Sequence, residues 1–212
     1  MLFRSELSNL KTTVDLNWTL SGAGPVVDVR DIQGELFGGT MTCPAVHIDP
    51  AKPPAQWTLS LREIDLAKVL SVEQQKGIEG TGLLNGTLPI TLTAAGASVK
   101  DGSIEAQPPG GIIRYTATPE AGKLLAESDQ SLKLVAQALN NFHYNVLRVG
   151  VQYREDGLLQ LAARLEGKNP DMKKTPPIHF NLTVQENIPA LLKTLWTVQD
   201  IVESLKQRVQ KG

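Results

Sequence analysis

The chain has 212 residues, 41% hydrophobic and 20% charged, with a net charge of -1. It is long enough to bury a core and carries no electrostatic footprint for nucleic acid. Its single cysteine, Cys43, excludes an intramolecular disulfide and a cysteine-rich zinc site.

Residues 1–11, with Arg4 and Glu6, match neither a secretory signal nor a membrane anchor, and no run of about 18 apolar residues occurs later. Val14, Leu16, Trp18 and Leu20 then alternate with Asp15, Asn17 and Thr19, a half-buried strand that ends in a turn over 21–25. Residues 27–43 read as a hairpin or bulged strand pair around Gly34, Gly38 and Gly39, and 47–54 as a proline-rich loop holding His47. Trp57, Leu59 and Leu61 form a third strand, after which Asp65 suits the N-cap of a helix whose Leu66, Val69 and Leu70 share one face.

The stretch 77–92, GIEGTGLLNGTLPITL, puts Ile78, Leu84, Leu88, Ile90 and Leu92 on even positions together with Gly80, Gly82 and Gly86. A period of two predicts one long strand, and glycines on its apolar face predict bending or close backbone approach. Pro89, lacking an N–H, predicts a sheet edge or a bulge.

Asp101-Gly102 between Val99 and Ile104 predicts a hairpin turn, and Pro108 to Gly111 another, before a short strand over 112–117. Leu132, Val135, Ala136 and Leu139 have helical spacing over 129–141, so helices are expected near 66–75, 124–139 and 188–209. Val149, Val151 and Tyr153, a turn over 154–157, and Leu159, Leu161, Ala163 and Leu165 make a hairpin; a polar connection over 168–177 follows. Ile178, Phe180, Leu182 and Val184 form the last strand, and Asn187 caps an amphipathic helix over 188–209.

Catalytic and nucleotide signatures fail in turn. The glycines at 80, 82 and 86 miss the dinucleotide spacing and continue into strand, and there is no phosphate loop, zinc-protease or nucleophile-elbow motif. His47, His143 and His179 lie far apart, without partners at metal-ligand spacing. The reading is of a non-enzymatic chain with no metal and no cofactor. Six or more strands with one apolar face need covering, by a second sheet, by the helices or by acyl chains.

Several motifs in order resemble one family: WTLSL at 57–61 with IDL at 64–66, GIEGTG at 77–82, GTLPI at 86–90 and PGGIIRY at 109–115. ALNNF at 138–142, LEGKNP at 165–170 and FNLTVQENI at 180–188 continue the series. The chain is similar to the C-terminal domain of YdbH-type proteins, AsmA-like envelope proteins. The domain has also carried the label "dicarboxylate transport", for which no cationic cluster is evident. The resemblance implies a segment of a periplasm-spanning groove that carries phospholipids between inner and outer membranes. It also implies an inner-membrane anchor elsewhere in a longer protein, and a C-terminal end near the outer membrane. There a small YnbE-like lipoprotein would pair with it by strand addition.

The expected fold is mainly β with a few helices: a curved antiparallel sheet forming an open groove, closed by the C-terminal amphipathic helix. One domain covers 1–212, strand-rich over 1–117, with a helix, a hairpin, the last strand and the terminal helix over 118–212. The candidate groove residues are Val14, Leu16, Trp18, Leu20, Trp57, Leu59, Leu61, Leu84, Leu88, Ile90, Leu92, Val149, Val151, Tyr153, Leu159, Leu161 and Leu165. The candidate partner edge is Ile178, Phe180, Leu182 and Val184. The alternative is an envelope scaffold or interaction domain whose same faces make a closed, dry core.

Overall fold

A computed structural model describes residues 7–18, 25–72, 77–172 and 177–187. Leu20 and the helix expected over 188–209 lie outside the described residues. The strands are β1 (Leu7–Trp18), β2 (Pro25–Leu36), β3 (Gly39–Ile48), β4 (Ala55–Asp65), β5 (Ile78–Gly80), β6 (Leu83–Thr93), β7 (Gly96–Ala106), β8 (Gly111–Tyr115), β9 (Phe142–Tyr153), β10 (Leu158–Lys168) and β11 (Ile178–Asn187). The helices are α1 (Leu66–Val72), α2 (Pro119–Glu127) and α3 (Gln130–Leu139).

Alternating strands joined by short turns pair with their sequence neighbours, and the antiparallel sheet runs β1-β2-β3-β4-β6-β7-β9-β10-β11. It curls into an open half-barrel. β5 and β8 make a side ladder attached to the start of β9. One joint is thin: β3 meets β4 only through Thr40↔Arg62, Met41↔Leu61 and Thr42↔Ser60.

Curvature is built into the strands. Asn9, Asp31, Glu63 and Asp101 sit inside β1, β2, β4 and β7 with φ of 50°, 54°, 56° and 56°. Left-handed backbone within a strand bends it and lets two apolar residues three apart face the same way. At Glu63 the register with β6 jumps from Leu61↔Gly86 to Ile64↔Leu84, and both Leu61 and Ile64 are buried. At Asp101 the register with β9 jumps from Val99↔Tyr153 to Gly102↔Val151.

Three expectations are corrected by this geometry. Asp101-Gly102 is no hairpin turn but the bulge within β7; the turn joining β6 to β7 lies at Ala94-Ala95. The stretch 77–92 breaks at Thr81-Gly82 because three other groups hold that backbone. Thr81 N donates to Ile112 O (2.9 Å), Leu66 N donates to Gly82 O (3.0 Å), and the Tyr144 hydroxyl donates to Thr81 O (2.7 Å). His47 lies on β3, bonded to Asp28 on β2, rather than in a loop. Pro89 sits in an interior strand, where the β6–β7 ladder shifts between Thr87 and Ile90.

One rim of the half-barrel is sealed by a core of Leu61, Ile64, Leu66, Leu84, Phe142, Tyr144, Leu147 and Leu165. Asp65 caps α1 by accepting from Ala67 N (2.9 Å), which lays Leu66, Val69 and Leu70 on that core. Gly80 passes beneath the helix, where a Cβ would come within 2.7 Å of Leu70 Cδ1. α3 begins at Asp129, whose carboxylate accepts from Leu132 N, and its end is held by Asn169. The buried Asn169 amide donates to Gln137 O (3.0 Å) and Ala138 O (3.2 Å). These carbonyls are among the last of the helix, which otherwise lack partners.

Candidate functional site

The strand registers align inward-facing side chains into rows perpendicular to the strands. One row reads Gly34, Met41, Leu61, Gly86, Ile104, Val149, Ala163 and Leu182, one residue from each of eight consecutive strands. Seven interstrand steps make it about 34 Å long. A second row, Trp57, Ile90, Val99, Tyr153 and Leu159, crosses β4 to β10. Between them Leu59 faces Leu88, and Val151, Leu161 and Val184 are aligned from β9 to β11. No charged residue stands in any of these sets. The outward row beside the first is hydroxylated: Thr42, Ser60, Thr87 and Ser103.

Burial falls away from the sealed rim. Leu61, Leu84, Leu147 and Leu165 are buried, whereas Trp57, Leu59, Leu88, Ile90, Leu92, Val149, Tyr153, Leu159 and Leu161 are only half-buried, and Val151 is buried. Apolar side chains stranded half in water on a concave face are what a surface awaiting a hydrophobic occupant looks like. At the two sheet ends Val14 on β1 is 53% exposed, and Leu182 and Val184 on β11 are 51% and 49% exposed. The backbones of Leu16 and Trp18 pair with Val27 and Pro25.

β1 and β11 are the two edges of the sheet among the described residues. They differ in how far each edge is blunted. β1 carries left-handed Asn9, register shifts between Ser8 and Thr13, and Lys11, devices that blunt an edge. β11 keeps ten unbroken pairs with β10 and has no proline, bulge or lysine. Of the four candidate edge residues, Ile178 and Phe180 reach back onto the core, and Phe180 meets Phe142 edge to face at 5.3 Å. Leu182 and Val184 are the exposed pair.

The polar groups do structural work. Glu166 receives a hydrogen bond from Arg164 and faces His179 across the β10–β11 ladder. The Arg164 bond chiefly holds its carboxyl below the ordinary range, against the opposing effect of desolvation and with help from the Arg164 and His179 charges. Burial pushes the thiol of Cys43 up, which disfavours the reactive thiolate. Among the described residues no three His, Cys, Asp or Glu side chains converge on a metal-sized site, and no helix is long and apolar enough to cross a membrane.

Met41 and Ile104 complete the rows although the alternation of their own strands did not single them out as groove residues; Ala163 joins them on the odd face of its strand. Ile104 was legible only once Asp101 is known to shift the phase from odd Val99 to even Gly102 and Ile104.

No curated protein and no solved structure matches the chain. A family model described as YdbH-like, intermembrane phospholipid transport protein YdbH, matches residues 6–210. A curled open sheet, apolar rows on its inner face and a family match over nearly the entire chain lead to one assignment: the chain belongs to the YdbH-like family of intermembrane phospholipid transport proteins.

Proposed function

We propose that the chain is a segment of a hydrophobic groove, non-enzymatic, in which phospholipid acyl chains slide along the inward rows while headgroups stay at the water-exposed mouth. The carrying observation is the unbroken apolar row from Gly34 to Leu182. An acyl chain occupies half of a hydrocarbon core about 30 Å thick, so a row of about 34 Å spans roughly two chain lengths. With no polar side chain along the way, neither a deep trap nor a barrier interrupts movement. The groove residues are those half-buried above, with Leu16 and Trp18 extending it onto β1, and the domain works as one unit over both its strand-rich and its helix-containing parts.

At the other end, the open edge of β11 receives a strand from a small outer-membrane lipoprotein. Strand addition needs a long, flat, unpaired edge, and of the two edges β11 has that form. On this reading the domain works in the periplasm, as part of an inner-membrane-anchored protein whose C-terminal end lies toward the outer membrane.

Photoreactive residues at Leu88 and Leu161, with Thr87 and Gln160 as outward controls, test the groove in cells. Lipid adducts are expected at the first pair alone. Absent or equal labelling at both pairs would mean a closed core, and the scaffold reading would replace this one. The same chemistry at Thr183 and Thr13 tests the edge: lipoprotein adducts are expected at Thr183, and adducts at Thr13 alone would move the partner to β1.

A further inference from the structure

The apolar inner face has least cover where the sheet ends. On β11 Leu182 and Val184 are 51% and 49% exposed, and they stand beside Ala163 and Leu161 of β10, which are half-buried. The other half of β11 is closed, since Ile178 and Phe180 pack on the rim core. β11 runs away from that core and ends at Asn187, opposite Leu158 and near the turn that joins β9 to β10. An apolar strip is therefore open along the half of β11 that leads into residues 188–212, which lie outside the described residues.

The sequence that follows matches this strip in spacing and in length. Leu191, Leu195, Val198, Val202 and Leu205 recur every three or four residues, one apolar stripe with Lys193, Asp200 and Arg208 off it. β11 has ten residues, about 33 Å of strand, and a helix over 188–209 would be about as long. At about 3.3 Å per strand residue and about 1.5 Å per helix residue, a helix turning straight back from Asn187 sets Leu195 level with Val184, Val198 with Leu182 and Val202 with Phe180. Every level meets apolar with apolar. Pro189 fits the first turn of such a helix, where its missing N–H costs no hydrogen bond. A segment joined directly to β11 also meets the strip at an effective concentration of about millimolar, ahead of a free partner or a second copy.

We infer that residues 188–209 fold back antiparallel over the inner face of β10 and β11 and cover Leu161, Leu182 and Val184. The segment takes the side-chain face and leaves the main-chain edge of β11 open to another strand. Its consequence, though not the docking itself, rests on the groove reading: the cover stands where an acyl chain would lie and must be displaced before one enters.

Cysteine pairs in the 212-residue chain, joined by a short bismaleimide, test the register; the native Cys43 is buried. Val184→Cys with Leu195→Cys, and Leu182→Cys with Val198→Cys, should crosslink within one chain, whereas Val14→Cys on β1 with Leu195→Cys should not. Failure of both β11 pairs, or equal crosslinking to Val14→Cys, would overturn the cover. Crosslinked dimers in place of internal links would assign the strip to a second copy and overturn it too. Maleimide labelling of Leu182→Cys needs no cysteine on the segment: adding Leu195→Ser and Val202→Ser should quicken it about tenfold or more, the scale of losing one buried leucine. Unchanged labelling would overturn the cover even where the cysteine pairs disturb the fold. Lipid separates this inference from the groove reading, because a photoreactive residue at Leu161 should gain phospholipid adducts when Leu195→Ser and Val202→Ser are added. Internal crosslinks without adducts in either chain sink the groove reading and not the cover. Adducts without crosslinks or quickened labelling sink the cover and not the groove.

Discussion

The hydroxyl of Tyr144, on β9, donates to the main-chain oxygen of Thr81 (2.7 Å), 63 residues earlier in the chain, at the point where β5 ends and β6 has yet to begin. One buried phenol thus fixes the corner at which the sheet stops being a continuous strand. Gly82 and Gly111 must be glycine beside it, since a Cβ would come within 2.2 and 2.7 Å of that oxygen.

Tyr144→Phe removes the donor and leaves the Thr81 carbonyl without it, which should cost about 1–3 kcal/mol by denaturant titration. Burial also raises the phenol above its ordinary value of 10.0. The folded state holds that proton more tightly, so stability falls as pH rises past the free phenol's value. The alkaline loss of Tm should be smaller in Tyr144→Phe than in the parent chain.

Phe142 is fully buried and meets Phe180 edge to face. Phe142→Ala should lose about 3–5 kcal/mol of unfolding free energy, the range for an aromatic deleted from a packed core. Leu182→Ala, exposed on the same edge strand, should lose well under half of that. A comparable loss at both sites would mean that the inner face at β11 is as closed as the rim core.

Glu166 has its carboxyl lowered chiefly by the hydrogen bond from Arg164, from an ordinary value of 4.5. Its contribution is therefore complete above that value and is lost as pH falls through the lower, folded-state value. Thermal unfolding from pH 6 down to pH 3 should show a shallower fall of Tm in Glu166→Gln than in the parent chain. Parallel acid limbs would remove the carboxylate from the account of how β10 and β11 are held.

Asn169→Ala strips the end of α3 of two side-chain hydrogen bonds. A loss of about 1–3 kcal/mol is expected. Amide exchange should quicken in α3 while β9 and β10 stay protected. Uniform quickening would show the helix to be part of the same cooperative unit as the sheet.

Most strands could be read from the chain, because alternation declares a face: the odd positions of 57–61, 149–153 and 159–165 and the even positions of 84–92 do share the inner side. What alternation does not declare is phase. Asp31, Glu63 and Asp101 look like ordinary outward-facing residues in sequence, yet each adopts a left-handed backbone that moves the next apolar residue by one position. Asp101-Gly102 reads in sequence as a turn for that reason, since both a turn and a bulge ask for residues that tolerate positive φ. The break at Thr81-Gly82 and the capping by Asn169 depend on partners well outside their own strand or loop, which no local pattern records.

The short joint between β3 and β4 has a mechanical meaning. A pull between β1 and β11 loads the ladders in series, each carrying the whole tension, so the assembly is only as strong as its shortest member. β2–β3 and β4–β6 each share it over nine registered pairs, but β3–β4 has three. Under such a pull the sheet would part first beside Met41 and Leu61, freeing β1 to β3 as one hinged leaf while the sealed rim core stays on the other. The sheet has a fuse, and its position is set by where two neighbouring strands diverge.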